Sequence, residues 1–224
     1  QSILIIGTVW VEPNSSAAGS RMLQLIELFL KQNWHITFAS TSQKNTNAFD
    51  LKAINVAEEC IELNNPSFDK FVHELQPDIV LFDRFMMEEQ FGWRVSENCP
   101  SALRILDTED LHFLRKTRYQ QLKKGEEFTS EALLNSDDAK REIASILRCD
   151  LSLIISTYEM KLLDKVFKID KKVLYYLPFL LDKVNESQVQ NWKSFKQRSH
   201  FIFIGNFYHK PNVDAIVNLK KNIW

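Results

Sequence analysis

Ser2–Gly7 reads SILIIG, an almost unbroken apolar run that is too short to cross a membrane and lacks the two-residue alternation of a half-exposed strand. A strand of this kind needs cover on both faces, which a parallel sheet between two layers of helices provides. Further strand-like runs follow at His35–Ala39, Ile79–Phe82, Ala102–Leu106, Leu151–Ile155 and Val173–Tyr176. Between them the apolar residues take helical spacing, as in Met22, Leu25, Ile26 and Phe29, or in Phe68, Phe71, Val72 and Leu75. The spacing predicts helices over Ser20–Asn33, from Pro66–Ser67 to Leu75, over Met86–Cys99, Glu109–Lys124 and Thr129–Arg148, and after Ser156, where Ser156 and Glu159 spell a capping box. Short strands are expected at Ala53–Val56 and Ile61–Leu63. The alternation predicts an α/β fold with a doubly wound, mostly parallel, Rossmann-like sheet and Ser2–Gly7 near its centre.

Two hundred and twenty-four residues suit one large domain, or one domain and part of another. From Leu181 the composition turns polar, so residues 182–199 read as a linker that separates a first domain, 1–181, from the start of a second, 200–224. There His200–Gly205 (HFIFIG) repeats the form of the opening strand, and a helix is expected from Pro211–Asn212. The absence of an initiator methionine suggests an excised segment.

The 28 basic and 29 acidic residues nearly cancel, leaving no global field to recruit nucleic acid. Cys60, Cys99 and Cys149 are far apart and form no CxxC, so they read as reduced, mostly buried thiols of a cytoplasmic protein, and zinc is not expected. With only 5 glycines the chain spells neither GxGxxG nor GxxxxGK[ST], which disfavours Walker-type NTPases and the standard dinucleotide-binding fingerprint; no cofactor is expected.

In open α/β sheets ligands bind beyond the carboxyl ends of the strands, so the segments that follow strands are the candidates for a site. Asn14–Ser20, with Gly19 and Ser20, lies where backbone N–H groups at a helix start can receive a phosphate; the alternative is an ordinary loop with Ser20 as helix cap. Asp107-Thr108-Glu109-Asp110-Leu111-His112 places three carboxylates and an imidazole directly after a strand, a density suited to proton transfer or hydroxyl binding; the alternative is helix capping and packing. Arg115, Lys116, Arg118, Lys123 and Lys124 form a basic cluster able to hold an anionic acceptor or a lipid headgroup, or simply a solvated face. Gly205-Asn206 ends the last predicted strand, where glycine permits close backbone approach.

Several of these segments carry a resemblance. Phe203-Ile204-Gly205-Asn206-Phe207 through Pro211-Asn212-Val213-Asp214-Ala215 is similar to the opening of the C-terminal domain of family 4-type glycosyltransferases of the GT-B fold. Asp107–His112 with Leu114-Arg115 looks like a segment of the same group, and Ser156-x-x-Glu159 followed by Leu177-Pro178 and Asp182 resembles landmarks of their N-terminal domains. The resemblance implies two Rossmann-like domains facing a cleft, with a glycan or lipid-linked acceptor held mainly by the N-terminal one and a nucleotide-sugar donor by the C-terminal one. It implies sugar transfer with retention and no required metal. Asp107, Asp110 and His112 would be catalytic, Gly19, Ser20, Gly205 and Asn206 would bind the donor, and Glu109 and Arg115 the acceptor. The alternatives are a nucleotide-sugar 2-epimerase of the same architecture and a non-catalytic interaction module. Contact with the inner face of the membrane and pairing of two copies through the last strand complete the expectations.

Overall fold

The computed structural model describes residues 1–181 and 183–224, which fall into two compact units, Gln1–Phe179 and Leu180–Trp224. Asp182, one of the sequence landmarks, lies outside the described residues.

The first unit is a seven-stranded, all-parallel sheet. Chain order runs β1 (Ser2–Gly7), α1 (Ala17–Lys31), β2 (His35–Ser40), β3 (Ala57–Cys60), α2 (Ser67–Leu75), β4 (Ile79–Asp83), α3 (Phe85–Asn98) and β5 (Leu103–Asp107). It continues with α4 (His112–Lys124), α5 (Ser130–Leu134), α6 (Asp137–Arg148), β6 (Leu151–Ile154), α7 (Thr157–Lys165) and β7 (Leu174–Tyr176). The strands lie in the order β3-β2-β1-β4-β5-β6-β7. Chain direction across the sheet reverses between β1 and β4, which is the Rossmann switch point.

The continuous apolar run of β1 is explained by its position. Leu4 and Ile6 enter one core with Val72, Phe91, Phe113 and Ile146, while Ile3 and Ile5 enter the other with Met22, Ile26, Phe38 and Leu51. Ile3, Leu4, Ile5 and Ile6 are each at most 1% exposed, so the strand is sealed on both faces as its composition requires.

Four local expectations are corrected. Ala53–Val56 and Ile61–Leu63 are not strands: Leu51–Ile54 is a 3₁₀ turn and the strand is the polar AEEC between them. That strand sits at the sheet edge, paired only with β2, so it needs no two-sided apolar pattern; Val56 and Ile61 flank it as its buried anchors. The long helix expected over Thr129–Arg148 is two helices, because Ser136 starts a new one by accepting the Ala139 N–H at 3.4 Å. Ser156 accepts from the Tyr158 N–H, and the Glu159 carboxylate turns away to the Leu111 N–H at 3.0 Å, so the reciprocal capping box does not form.

The fourth correction concerns the second unit. It holds the short helix α8 (Glu186–Gln190), closed by a capping box between Asn185 and Gln188, and α9 (Lys210–Asn218), but no strand among its described residues. Phe201, Ile202 and Ile204 of the expected strand are 79%, 85% and 86% exposed. A strand exists only by pairing with another, and this unit offers HFIFIG no partner.

Candidate functional site at the carboxyl edge of β1, β4 and β5

The candidate site lies where β1, β4 and β5 end side by side. β4 and β5 run in register to their last residues, Asp83 opposite Asp107, so two carboxylates stand next to each other at the switch point. Like charges at this distance must be neutralised by cations or protons.

Asp107 is neutralised from beneath. It is fully buried, and Arg21 of α1, 1% exposed, meets it with Nη2 at 3.0 Å and with Nε at 3.2 Å from both oxygens. The same guanidinium donates through Nη1 to the carbonyls of Leu177 (2.9 Å) and Pro178 (3.2 Å). Burial raises the Asp107 pKa, and the Arg21 charge opposes that rise. One buried arginine thus ties α1, β5 and the segment after β7 together. Asp107 touches Arg21 and not the cleft.

Asp83 is neutralised from beside. Arg84 donates Nε at 3.0 Å and Nη2 at 2.7 Å to its two oxygens, and the Thr8 N–H donates at 3.3 Å from the end of β1. Arg84 itself has φ 69° and ψ 157°, a region that side-chain-bearing residues rarely occupy. Its N–H donates to the Asp107 carbonyl at 2.8 Å, which fixes the turn out of β4 against β5.

Glu109 receives no comparable help. It is 7% exposed, stands at φ 61°, and its buried Oε1 has no hydrogen-bond partner among the described residues. Burial, reinforced by the Asp107 and Asp83 charges, pushes its pKa up to about 8. Its left-handed backbone also explains why α4 starts at His112 and not, as the spacing predicts, at Glu109.

The start of α4 is held by two carboxylates from other helices. Glu142 of α6 accepts the His112 and Phe113 N–H groups at 3.2 and 2.9 Å, and Glu159 of α7 accepts that of Leu111. Burial raises both their pKa values, that of Glu142 to about 8. His112 is 8% exposed and packs edge-on against Phe85, with Nε2 3.5 Å from Asp110. Burial lowers its pKa to about 4, so it is neutral at pH 7. Arg115 pairs with the other Asp110 oxygen at 3.4 Å, and both side chains are partly exposed.

The loop after β1 is arranged differently from the sequence expectation. Ser16, not Ser20, caps α1, accepting the Gly19 N–H at 3.0 Å. Ser20 donates its hydroxyl to the Pro13 carbonyl at 2.7 Å and its N–H to the Ser16 carbonyl. Both N–H groups of the expected phosphate cradle are therefore used within the loop. Gly19 is required because a Cβ there would collide with the backbone of Glu12. Gly205 and Asn206 lie in the second unit, where the Asn206 side chain accepts the Tyr208 N–H at 2.8 Å.

A cleft of about 160 Å³ opens between this loop and the end of β4, lined by residues that include Trp10, Ser16, Met22, Phe38, Asp83 and Arg84. Sequence reasoning missed Arg21, Asp83 and Arg84. The one signal for the last two is their place directly after the buried run Ile79–Phe82, the same positional signal that singled out Asp107. Among the described residues no His, Cys, Asp and Glu side chains are grouped to hold a metal ion, and no helix is long and apolar enough to cross a membrane.

No protein-family model and no curated protein sequence matches the chain. Solved structures similar to it include two glycosyl-transfer enzymes. A lipopolysaccharide outer core galactosyltransferase, WaaB, in its apo form is 14% identical with a TM-score of 0.49, the match covering 80% of this chain and 46% of that one. The sucrose-phosphate synthase of Thermosynechococcus elongatus is 13% identical with a TM-score of 0.47, the match covering 80% of this chain and 48% of that one. The chain thus spans less than half the length of either.

Proposed function

We propose that this chain is the acceptor-side portion of a GT-B glycosyltransferase. The longer enzyme moves a sugar, with retention, from a nucleotide-sugar donor to a glycan or lipid-linked acceptor. The observation that carries this reading is a convergence. Sequence landmarks far apart in the chain meet at one sheet edge: Arg21, directly after Gly19-Ser20, holds Asp107 and the carbonyls of Leu177 and Pro178, and Glu159 of the S-x-x-E element holds Leu111.

The chemistry fits the arrangement. A retaining transfer asks its acceptor side for positioning and for charge placed near a developing cation. Asp107, Asp110 and His112 form the catalytic segment in this reading: Asp110 and His112 meet substrate, and Asp107, sealed beneath with Arg21, positions the turn that carries them. Neutral His112 can accept a hydrogen bond from the acceptor hydroxyl and so orient it for attack. Arg115 and Glu109 hold the acceptor hydroxyls, and the donor diphosphate is met by the partner domain.

Calorimetric titration of the 224-residue chain with UDP- and GDP-sugars tests the division of labour. Binding no tighter than about millimolar, near −4 kcal/mol, is expected; a micromolar affinity would falsify the reading. In the longer protein, replacing Asp110 or His112 lowers turnover about a hundredfold with little change in melting temperature. Wild-type turnover in both variants removes them from the mechanism.

A further inference from the structure

The cleft at the switch point has one apolar and one polar wall. Trp10 and Phe38 stand 5.7 Å apart on the apolar side. The Trp10 indole N–H already donates to the Ser42 carbonyl at 2.7 Å, and Trp10 and Phe38 are 3% and 1% exposed, so that wall is a packed apolar backing with no donor and no open ring face. Asp83 and Arg84 form the polar wall.

Arg84 has features that its pairing with Asp83 does not explain. That pairing uses Nε and one Nη2 hydrogen, and leaves Nη1 and the second Nη2 hydrogen without an acceptor among the described residues. Its side chain is 20% exposed, enough to reach solvent in the cleft. Its backbone conformation is one that glycine adopts freely and arginine at a cost, so the position keeps an unfavourable residue. Strain of this kind persists where the side chain is used.

The charges of this edge select the ligand. Asp107 is matched by Arg21, Asp83 by Arg84, and Asp110 by Arg115. Glu109, beside the first two of these pairs, keeps its proton at pH 7 because it is buried beside two carboxylates. The edge is therefore close to neutral, and an anionic group reaching Arg84 would also approach Asp83. Two adjacent hydroxyls meet no such opposition: they accept from the free guanidinium edge and can donate to Asp83.

We propose that the cleft binds the terminal residue of an uncharged sugar through a vicinal diol, and that Arg84 is the residue that reads it. The proposal deepens the acceptor-side reading above and rests on it for the ligand class.

Saturation-transfer-difference NMR on the full 224-residue chain tests it, with methyl glycosides of glucose, galactose and mannose, the matching uronic acids and the hexose 6-phosphates as probes. At least one methyl glycoside is expected to bind in the millimolar range, the acids and phosphates more weakly. Arg84→Gln should weaken binding about tenfold, as expected on losing a charge-assisted fork. Arg84→Gly should abolish binding; because it also strands the buried Asp83 carboxylate, its stability is read in the Asp83→Asn background, where relief of the backbone should raise or preserve the melting temperature.

Tighter, Arg84-dependent binding of acids or phosphates overturns the uncharged ligand. Absence of binding by every probe, or binding unchanged in Arg84→Gln, overturns the site. A lower melting temperature for Arg84→Gly with Asp83→Asn than for Asp83→Asn alone shows that the arginine is kept for the fold. The two readings fail separately: sugar transfer by the longer enzyme that is insensitive to Arg84 removes only the diol site. Arg84-dependent sugar binding without transfer removes only the glycosyltransferase.

Discussion

The two carboxylates that close β4 and β5 lie side by side in the sheet, yet they are neutralised in opposite ways. Asp107 meets an arginine 86 residues away in sequence, both partners sealed from solvent, and the arginine's remaining hydrogen bonds go to carbonyls after β7. Asp83 meets the arginine next to it in sequence, partly open to a cleft, with guanidinium hydrogens to spare. The first arrangement joins three distant segments and serves the fold. The second reaches only as far as Thr8 at the end of the neighbouring β1 and keeps guanidinium donors available, as a binding group must. A charged residue after a buried strand therefore declares its role by how completely its partners satisfy it.

The sharpest way to break this contrast is to remove one partner from each pair. Arg21→Met leaves a buried carboxylate with no cation and should cost about 3–5 kcal/mol in chemical denaturation. Asp107→Asn should cost a similar amount, and the double variant less than the two losses summed, since neither charge is then stranded. If Arg21→Met costs no more than Arg84→Gln, the division between a fold pair and a binding pair is wrong.

Glu109 sharpens the contrast because it has no cation of its own. Its folded pKa of about 8 lies above the ordinary 4.5, so the native state holds a proton that the unfolded chain has released. The stability tied to that proton is fully present below about pH 4.5 and is lost as pH rises towards 8, with a slope of at most about 1.4 kcal/mol per pH unit. Glu109→Gln should remove this loss, so that wild type falls behind the variant by up to about 4 kcal/mol at the alkaline end of the window. His112 carries the opposite sign: its folded pKa, about 4 against 6.5, makes its contribution disappear on acidification. Urea denaturation of Glu109→Gln and wild type from pH 5 to 9 separates the two. A difference that does not grow with pH means that Glu109 is ionised in the fold and has a partner.

Glu142 gives a smaller effect of the fold kind. It caps α4 by accepting two N–H groups, so Glu142→Ala strands buried donors and should cost about 1–3 kcal/mol, read as a lower melting temperature. Glu142→Gln keeps one acceptor oxygen and should recover part of the loss. An unchanged melting temperature in Glu142→Ala would place the carboxylate among the binding groups.

Much of this was legible in the sequence. The unbroken run of β1 required two covered faces, and the alternation of runs and helical spacings gave the doubly wound sheet. Gly19 was singled out as a phosphate-loop glycine, whereas its visible constraint is steric, the backbone of Glu12 lying where its Cβ would be. The edge strand β3 was missed because pairing with β2 holds it in place, and hydropathy does not record pairing. The site was half legible for a related reason. Position after a strand marks candidates such as Asp107, but its burial depends on Arg21, a contact across 86 residues that no local pattern contains. Arg84 stayed unseen because its distinguishing property is a backbone angle.

The smallest effect is expected at the edge of the same segment. Arg115 and Asp110 are paired at 3.4 Å, but their side chains are 46% and 37% exposed, so water screens the attraction and holding two mobile chains together costs entropy. Arg115→Gln should therefore change stability by less than about 1 kcal/mol, against about 3–5 kcal/mol for Arg21→Met in the same protein. That separation makes Arg115 the cleanest probe of the acceptor side, because any loss of sugar binding or transfer in Arg115→Gln cannot be charged to unfolding. Thermal denaturation and sugar titration on one preparation read both quantities. A fall in melting temperature as large as that of Arg21→Met would mean that the Asp110 pair belongs to the fold, and the line between the two kinds of carboxylate would move out to the surface of α4.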